Sequence, residues 1–275
     1  MARPGSAAVT IATLDPAEAA YDALAPAYDI LTADYDYDAW LSAIERVAIA
    51  HGLAGRRVLD VACGTGKSFL PLLERGYEVT ACDISEAMLR VARAKVGARA
   101  SLLRLDMRTL PALGRFDLVT CLDDSLNYLP DEPALAQALA GMGANLAPGG
   151  VLVFDVNALR TYRSSFAGDW VVGGEDCVVA WRGRTAPDLE PGGSAELVVE
   201  AFVRAADRDQ WTRHRAVHRQ FHHPADRLDR ALADAGLALR ARLGQLPGAV
   251  LDDGFSEFDH AKSLYVSKHA RGGVS

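Results

Sequence analysis

The sequence lacks paired cysteines, long apolar runs and any surplus of positive charge. Its four Cys (Cys63, Cys82, Cys121, Cys177) are scattered without a C-x-x-C pair. That spacing argues against a disulfide scaffold and against a structural metal centre, and free thiols fit a reducing compartment. No apolar stretch approaches the roughly 20 residues that cross a bilayer. Residues 1–14 have a weak basic start and an apolar patch broken by two Thr. They read as a disordered tail rather than a secretory signal, and the expected location is cytoplasmic. Lys and Arg total 29 against 36 Asp and Glu, a formal charge of −7. A general binder of nucleic acid or anionic membrane would need the opposite field. No internal repeat or low-complexity tract is present. What is present is a chain of 275 residues, half of them hydrophobic. That is enough for one large core with an addition and too apolar for a disordered chain.

The texture changes along the chain. Residues 15–55 read as a helical cap, with Asp38 placed to cap a helix whose apolar face is Leu41, Ile44, Val47 and Ala48. From Arg57, short buried runs (RVLDV, YEVTACD, SLLRL, FDLVTC, GGVLVFDVN) alternate with helical patterns such as EAMLRVARAKV behind Ser85. Such alternation predicts a mostly parallel α/β sheet with helices on both faces, over 56–160 and again over 224–275. The stretch 161–223 breaks the rhythm with period-two alternation and turn residues. It reads as an antiparallel β insertion after the fifth strand, without a helix.

The glycine loop ACGTGKS admits three readings. A P-loop would need a glycine at 61, where Val61 stands. A dinucleotide fingerprint would need a third glycine at 69, where Phe69 stands, so a nicotinamide dehydrogenase is a remote alternative. The third reading fits the spacing. Asp60-x-x-x-Gly64-x-Gly66 follows a buried strand, and an acid, Asp83, ends the next strand seventeen residues after Gly66. This is where a βαβ unit places a ribose-binding carboxylate.

VLDVACGTG with its spaced acid resembles motif I of the class I S-adenosylmethionine-dependent methyltransferases. The resemblance runs from about Val58 to Val156 and points to a small-molecule, N-methyltransferase-like subgroup. It implies a Rossmann-like sheet of seven strands, with S-adenosylmethionine as cofactor and S-adenosylhomocysteine as product. It also assigns positions. Asp60, Ala62, Gly64 and Gly66 form the loop under the methionine part, and Asp83 holds the ribose. Ile84 and Met88 pack on the adenine, while Asp106 and Met107 meet its edge. Leu122 lines the methionine arm. DSLNYL, with the N-terminal pattern of Tyr21, Asp22, Leu24, Tyr28, Asp29, Leu31, Tyr37 and Trp40, resembles bacterial small-molecule methyltransferases. In that subgroup N-terminal tyrosines close over the cofactor, which implies roles for Tyr21, Tyr28 and Trp40.

Plainer readings stand beside these. Asp60 also reads as an anchor for the glycine loop. Met88 and Ile84 also read as core residues, and Tyr21, Tyr28, Tyr37 and Trp40 as packing aromatics. Cys63 and Cys121 read as small buried hydrophobes, not nucleophiles. His214, His218 and His222 recur every four residues, but their neighbours alternate with period two. On a strand four residues span about 13 Å, so these His cannot share one ion, and no metal site is expected.

Methyl transfer needs a nucleophile held in line with the methyl and water kept out. Catalytic candidates are Asp124, Tyr128 and His218. Substrate-binding candidates are Tyr37, Asp123, Asn127, Asn157, Tyr162, Trp181 and Gln220. The insertion reads as a substrate cover of the kind found on sugar-amine and glycine-type N-methyltransferases. The expected reaction is direct transfer to a nitrogen, or an oxygen, of a small molecule. A non-catalytic S-adenosylmethionine-binding partner or regulatory subunit is the alternative. Neither nucleic acid nor membrane is an expected partner, and the expected state is monomer or homodimer. Between Arg204 and Arg230, seven Arg meet four Asp. This island reads either as a solvated β-face or as a preference for an acidic substrate.

Overall fold

The computed structural model describes residues 15–205 and 210–270. The tail expected over 1–14 lies outside the described residues. The cap comprises α1 (Pro16–Leu24), α2 (Tyr28–Leu31) and α3 (Tyr37–Ala50). Asp15 starts α1 by accepting the Ala17 N–H at 2.8 Å, with Pro16 in the first turn. The third helix begins earlier than the sequence suggests. Asp36, not Asp38, accepts the Ala39 N–H at 2.9 Å. Tyr37 and Trp40 are both buried, and a helix that already contains Tyr37 puts these two, three residues apart, on one face. Asp38 therefore falls in the first turn and pairs with Arg75 at 2.5 Å.

The core follows as β1 (Arg57–Val61), α4 (Leu70–Glu74), β2 (Glu78–Asp83), α5 (Glu86–Val96), β3 (Ser101–Arg104), β4 (Phe116–Cys121), α6 (Glu132–Ala144) and β5 (Leu146–Asn157). After the insertion come α8 (Ala225–Asp234), β10 (Leu237–Leu246), β11 (Val250–Asp252) and β12 (Lys262–His269). The sheet order is β11-β10-β12-β5-β4-β1-β2-β3. Strands β1 to β5 pair in parallel, and β12 enters antiparallel between β5 and β10. The seven expected strands are present, and β11 adds a short eighth at the edge. Strand alternation explains the two-faced core. In β1, Val58 faces the layer containing α3 and α4, while Leu59 and Val61 face the layer containing α6 and α8.

Ser85 links the cap to the core. Its Oγ accepts the Met88 N–H at 3.1 Å, capping α5, and donates to Asp22 of α1 at 2.5 Å. Ser85→Ala should remove about 1 kcal/mol of capping. A thermal melt should read this as a drop of roughly 2–4 °C.

The insertion opens with a helix that the alternation did not indicate, α7 (Leu159–Ser164), which straddles the expected boundary at 160. Four antiparallel strands follow: β6 (Asp169–Gly173), β7 (Cys177–Gly183), β8 (Ser194–Arg204) and β9 (Trp211–Phe221). The inner face packs Val179, Leu197, Val199 and Ala216 against Leu24 of α1 and Tyr162. On β9, Arg213, Arg215 and Arg219 alternate away from that face and are exposed. Cross-strand carboxylates answer them: Arg219 meets Glu196 at 3.2 Å, and Arg213 pairs with Glu200, which Arg182 also reaches at 3.1 Å. The β9 part of the basic island thus lies on an outer face, as the plainer reading of a solvated β-face expects, and Arg208 lies outside the described residues.

Candidate active site

The carboxyl ends of β1, β2, β4 and β5 converge where chain order reverses between β1 and β4, the place at which open α/β sheets bind ligands. The loop after β1 turns through left-handed backbone at Ala62 (φ 60°), Gly64 (φ 54°) and Gly66 (φ 88°). Glycine is favoured at 66 by that φ and by space, because a Cβ would sit 3.0 Å from the buried Phe69 ring. Phe69 fills the core beneath it, which explains the bulky residue where a dinucleotide loop has glycine. A Cβ on Gly64 would meet nothing within 4 Å, and this residue lines the cleft.

Two aspartates fix this loop. Asp60 is fully buried and accepts from Ser68 Oγ at 2.5 Å and Thr120 Oγ1 at 2.7 Å. Burial pushes its pKa up to about 7. It anchors the loop from behind and does not line the cleft. Asp83 accepts the Gly64 N–H and the Ser85 N–H, both at 2.8 Å. Burial raises its pKa, and the two N–H groups hold it back. It lines the cleft beside Ile84.

Tyr21, Tyr28 and Tyr37 of the cap close over the cleft, with Ala62, Met107 and Tyr128 also in its wall. A smaller pocket that shares Ile84 and Met107 with the cleft is lined by Asp106 as well. Burial alone would raise the Asp106 pKa. Arg108, which grips the carboxylate from 2.5 Å, holds it below the usual range. Besides Asp60 and Gly66, which shape the glycine loop without lining the cleft, three residues assigned to the cofactor by resemblance lie elsewhere. Trp40 and Leu122 are buried in the hydrophobic layer under α3. Met88 is buried beneath Tyr21 and Tyr28. In each case the plainer reading, core packing, describes the position.

Next to the cleft lies a larger chamber of about 540 Å³. Tyr21, Tyr28, Tyr37, Asp123 and Tyr128 belong to both, so the two spaces share one wall. The insertion supplies Trp181, Leu197, His218 and Gln220, and Asp124 and Asn157 complete the polar end. Asn127 and Tyr162 sit behind this end. Asn127 ties Phe221 O to the Asn157 N–H at 2.9 Å each, and the Tyr162 hydroxyl donates to Gln220 Oε1 at 3.2 Å.

Two hydrogen-bonded lines cross the polar end. The Tyr21 hydroxyl lies 3.1 Å from that of Tyr128, which in turn lies 2.7 Å from His218 Nδ1. Burial pulls the His218 pKa down to about 4, so the ring is neutral at pH 7. Its Nε2 has no hydrogen-bond partner among the described residues. In the second line Asn157 donates to Gln220 at 2.9 Å, and Gln220 donates to Asp124 Oδ2 at 2.5 Å.

The turn after β4 is strained, with Asp123 at φ 56° and Asp124 at φ 53°. Such residues cost on the order of 1 kcal/mol each and persist where surroundings over-determine them. Asp155 of β5 supplies that support by accepting the Asp123 N–H at 3.0 Å and the Asp124 N–H at 2.5 Å. Lys262 Nζ lies 2.6 Å from Asp124, 3.6 Å from Asp155 and 3.8 Å from Asp123. Sequence reasoning missed Asp155 and Lys262. Asp155 reads as the last acid of an apolar strand, and Lys262 as the first residue of the final one. Only the pairing of Lys262 with Asn157 across β12 and β5 brings them together.

A methyltransferase domain family model matches residues 58–150. A protein named as a methyltransferase in Geobacillus sp. (strain WCH70) is 33% identical over 223 residues, covering 80% of this chain and 89% of the relative. The glycine N-methyltransferase of Rattus norvegicus is 39% identical over 137 residues, 44% of this chain and 45% of that one. The crystal structure of an S-adenosylmethionine-dependent methyltransferase from Clostridium acetobutylicum superposes with a TM-score of 0.77 at 23% identity, covering 91% of this chain and 99% of that one. The cleft suits the cofactor of these proteins: Gly64 leaves open the space a side chain would fill, and the Asp83 carboxylate stands at the end of β2. With that loop, that carboxylate and a full-length relative in agreement, this chain belongs to the class I S-adenosylmethionine-dependent methyltransferases and is an enzyme of that family.

Proposed function

We propose that the enzyme methylates a nitrogen of a small-molecule amine held in the chamber, by direct in-line displacement. The observation that carries this reading is the wall common to cleft and chamber, which sets a space of about 540 Å³ directly beside the cleft. That volume is in the range of small-molecule pockets. When bound, S-adenosylmethionine supplies a methyl carbon activated by a positively charged sulfur. Asp83 would hold its ribose, Ile84 and Met107 its adenine, and the Ala62–Gly64 backbone its methionine part.

The chain's own residues then have defined tasks. Tyr21, Tyr28 and Tyr37 exclude water from the seam. Asp123 and Asp124 favour a cationic group there, and the aromatic walls, including Tyr28, Tyr35 and Trp181, suit an ammonium. An amine must shed its proton before it attacks, and Asp124 and Tyr128 are the candidates to orient it. The partial likeness to glycine N-methyltransferase supports the choice of nitrogen. A second reading, transfer to a hydroxyl, draws on His218, whose neutral ring and unpartnered Nε2 suit a general base.

The test is incorporation of labelled methyl from S-adenosylmethionine into a panel of amines and their hydroxyl counterparts. At least a tenfold preference for amines is expected. Preference for hydroxyls, lost in His218→Phe, would favour the second reading instead.

A further inference from the structure

We propose that Lys262 is a positioning residue for methyl transfer: it clamps the Asp123–Asp124 turn, and the Asp155 carboxylate behind it, at the seam between cleft and chamber. The inference rests on the chamber reading for its activity arm only; its cofactor-binding arm does not.

Two successive left-handed aspartates have no intrinsic reason to persist, and the Asp155 carboxylate behind them holds both of their N–H groups. That arrangement stacks three carboxylates around one point. Carboxylates so close cannot all ionise without a counter-charge. Lys262 is that counter-charge, with its Nζ within 3.8 Å of all three. The Asp124 contact at 2.6 Å fixes one oxygen, and Gln220 fixes the other at 2.5 Å. The Tyr37 hydroxyl donates to Asp123 Oδ2 at 2.8 Å. Asp123 lines the cleft as well as the chamber, so its orientation bears on both ligands.

Burial pushes the Asp155 pKa up to about 6, and Lys262 is the largest influence holding it down. The other groups facing the cluster are Tyr21, Tyr28, Tyr35, Tyr37, Tyr128, Tyr162 and His218, with Asp60, Lys67 and Cys121 acting on it from the glycine-loop side and β4. Burial keeps the tyrosines protonated and His218 neutral at pH 7. Removal of the lysine therefore leaves burial and the two neighbouring carboxylates to push Asp155 further up, toward binding a proton.

Lys262→Met should move the acid limb of S-adenosylmethionine affinity, measured by calorimetry across pH, upward by one unit or more. The acid limb of methyl transfer should move with it. Lys262→Arg keeps the charge and should retain the wild-type limb. The double variant Lys262→Met/Asp124→Asn loses one charge of each sign and should also restore it, an outcome that a merely structural lysine would not produce. An unshifted limb in Lys262→Met overturns the proposal. If that single variant does not fold, the double variant decides: a wild-type limb supports the clamp and a shifted limb overturns it. If no acceptor is methylated, the chamber reading fails while the shift in cofactor binding still tests the clamp.

Discussion

Replacing Asp83 by alanine is expected to weaken S-adenosylhomocysteine binding at least tenfold. The carboxylate stands at the carboxyl end of β2, almost fully buried, and lines the cleft. It has two duties. It holds the glycine loop through the Gly64 N–H and the start of α5 through the Ser85 N–H. In the proposed function its remaining acceptor capacity takes the ribose hydroxyls. Hydrogen bonds to a charged group contribute about 1.5–3 kcal/mol, and a tenfold change needs only about 1.4 kcal/mol. Asp83→Asn should give a smaller loss, because the amide retains one acceptor oxygen but cannot accept on both sides. Isothermal titration with S-adenosylhomocysteine measures both. Unchanged affinity in Asp83→Ala would remove the ribose assignment.

Trp40→Ala should destabilise the fold by about 3–5 kcal/mol, the usual cost of truncating a buried large aromatic. For a chain of this size that lowers the melting temperature by roughly 10 °C. Trp40 is 1% exposed and packs in the layer of Leu41, Ile44, Leu72 and Val153. Its Nε1 has no hydrogen-bond partner among the described residues, so the loss is one of packing. Trp40→Phe should cost much less and leave cofactor affinity unchanged. A Trp40→Phe enzyme with a native melting temperature but tenfold weaker S-adenosylhomocysteine binding would restore the cofactor role that family resemblance suggested.

The contrast between Asp83 and Trp40 shows what the sequence makes legible. Asp60, Gly64, Gly66 and Asp83 lie within one βαβ unit, so their spacing encodes their geometry. The sheet was legible for the same reason, since buried runs and helical runs alternate over short distances. Trp40 and Met88 sit on amphipathic helices, where an aromatic or Met turned inward has the same periodicity whether it meets core or ligand. Their resolution required knowing what lies on the other side. Lys262 and Asp155 were invisible because they are joined only by the pairing of β12 with β5, across the whole insertion. The arginines of β9 were visible as charge but not as a direction. Their alternation with buried Ala216, His218 and Gln220 puts them on the outer face.

If the chamber beside the cleft receives the methyl acceptor, blocking that space must stop transfer and spare the cofactor. Ser165 lines the chamber but not the cleft. In Ser165→Trp, both S-adenosylhomocysteine affinity and methyl transfer to the preferred amine should be measured on the same preparation. Cofactor affinity within about twofold of wild type, with transfer reduced more than tenfold, is the predicted result. Transfer at the wild-type rate with the chamber filled would contradict the account.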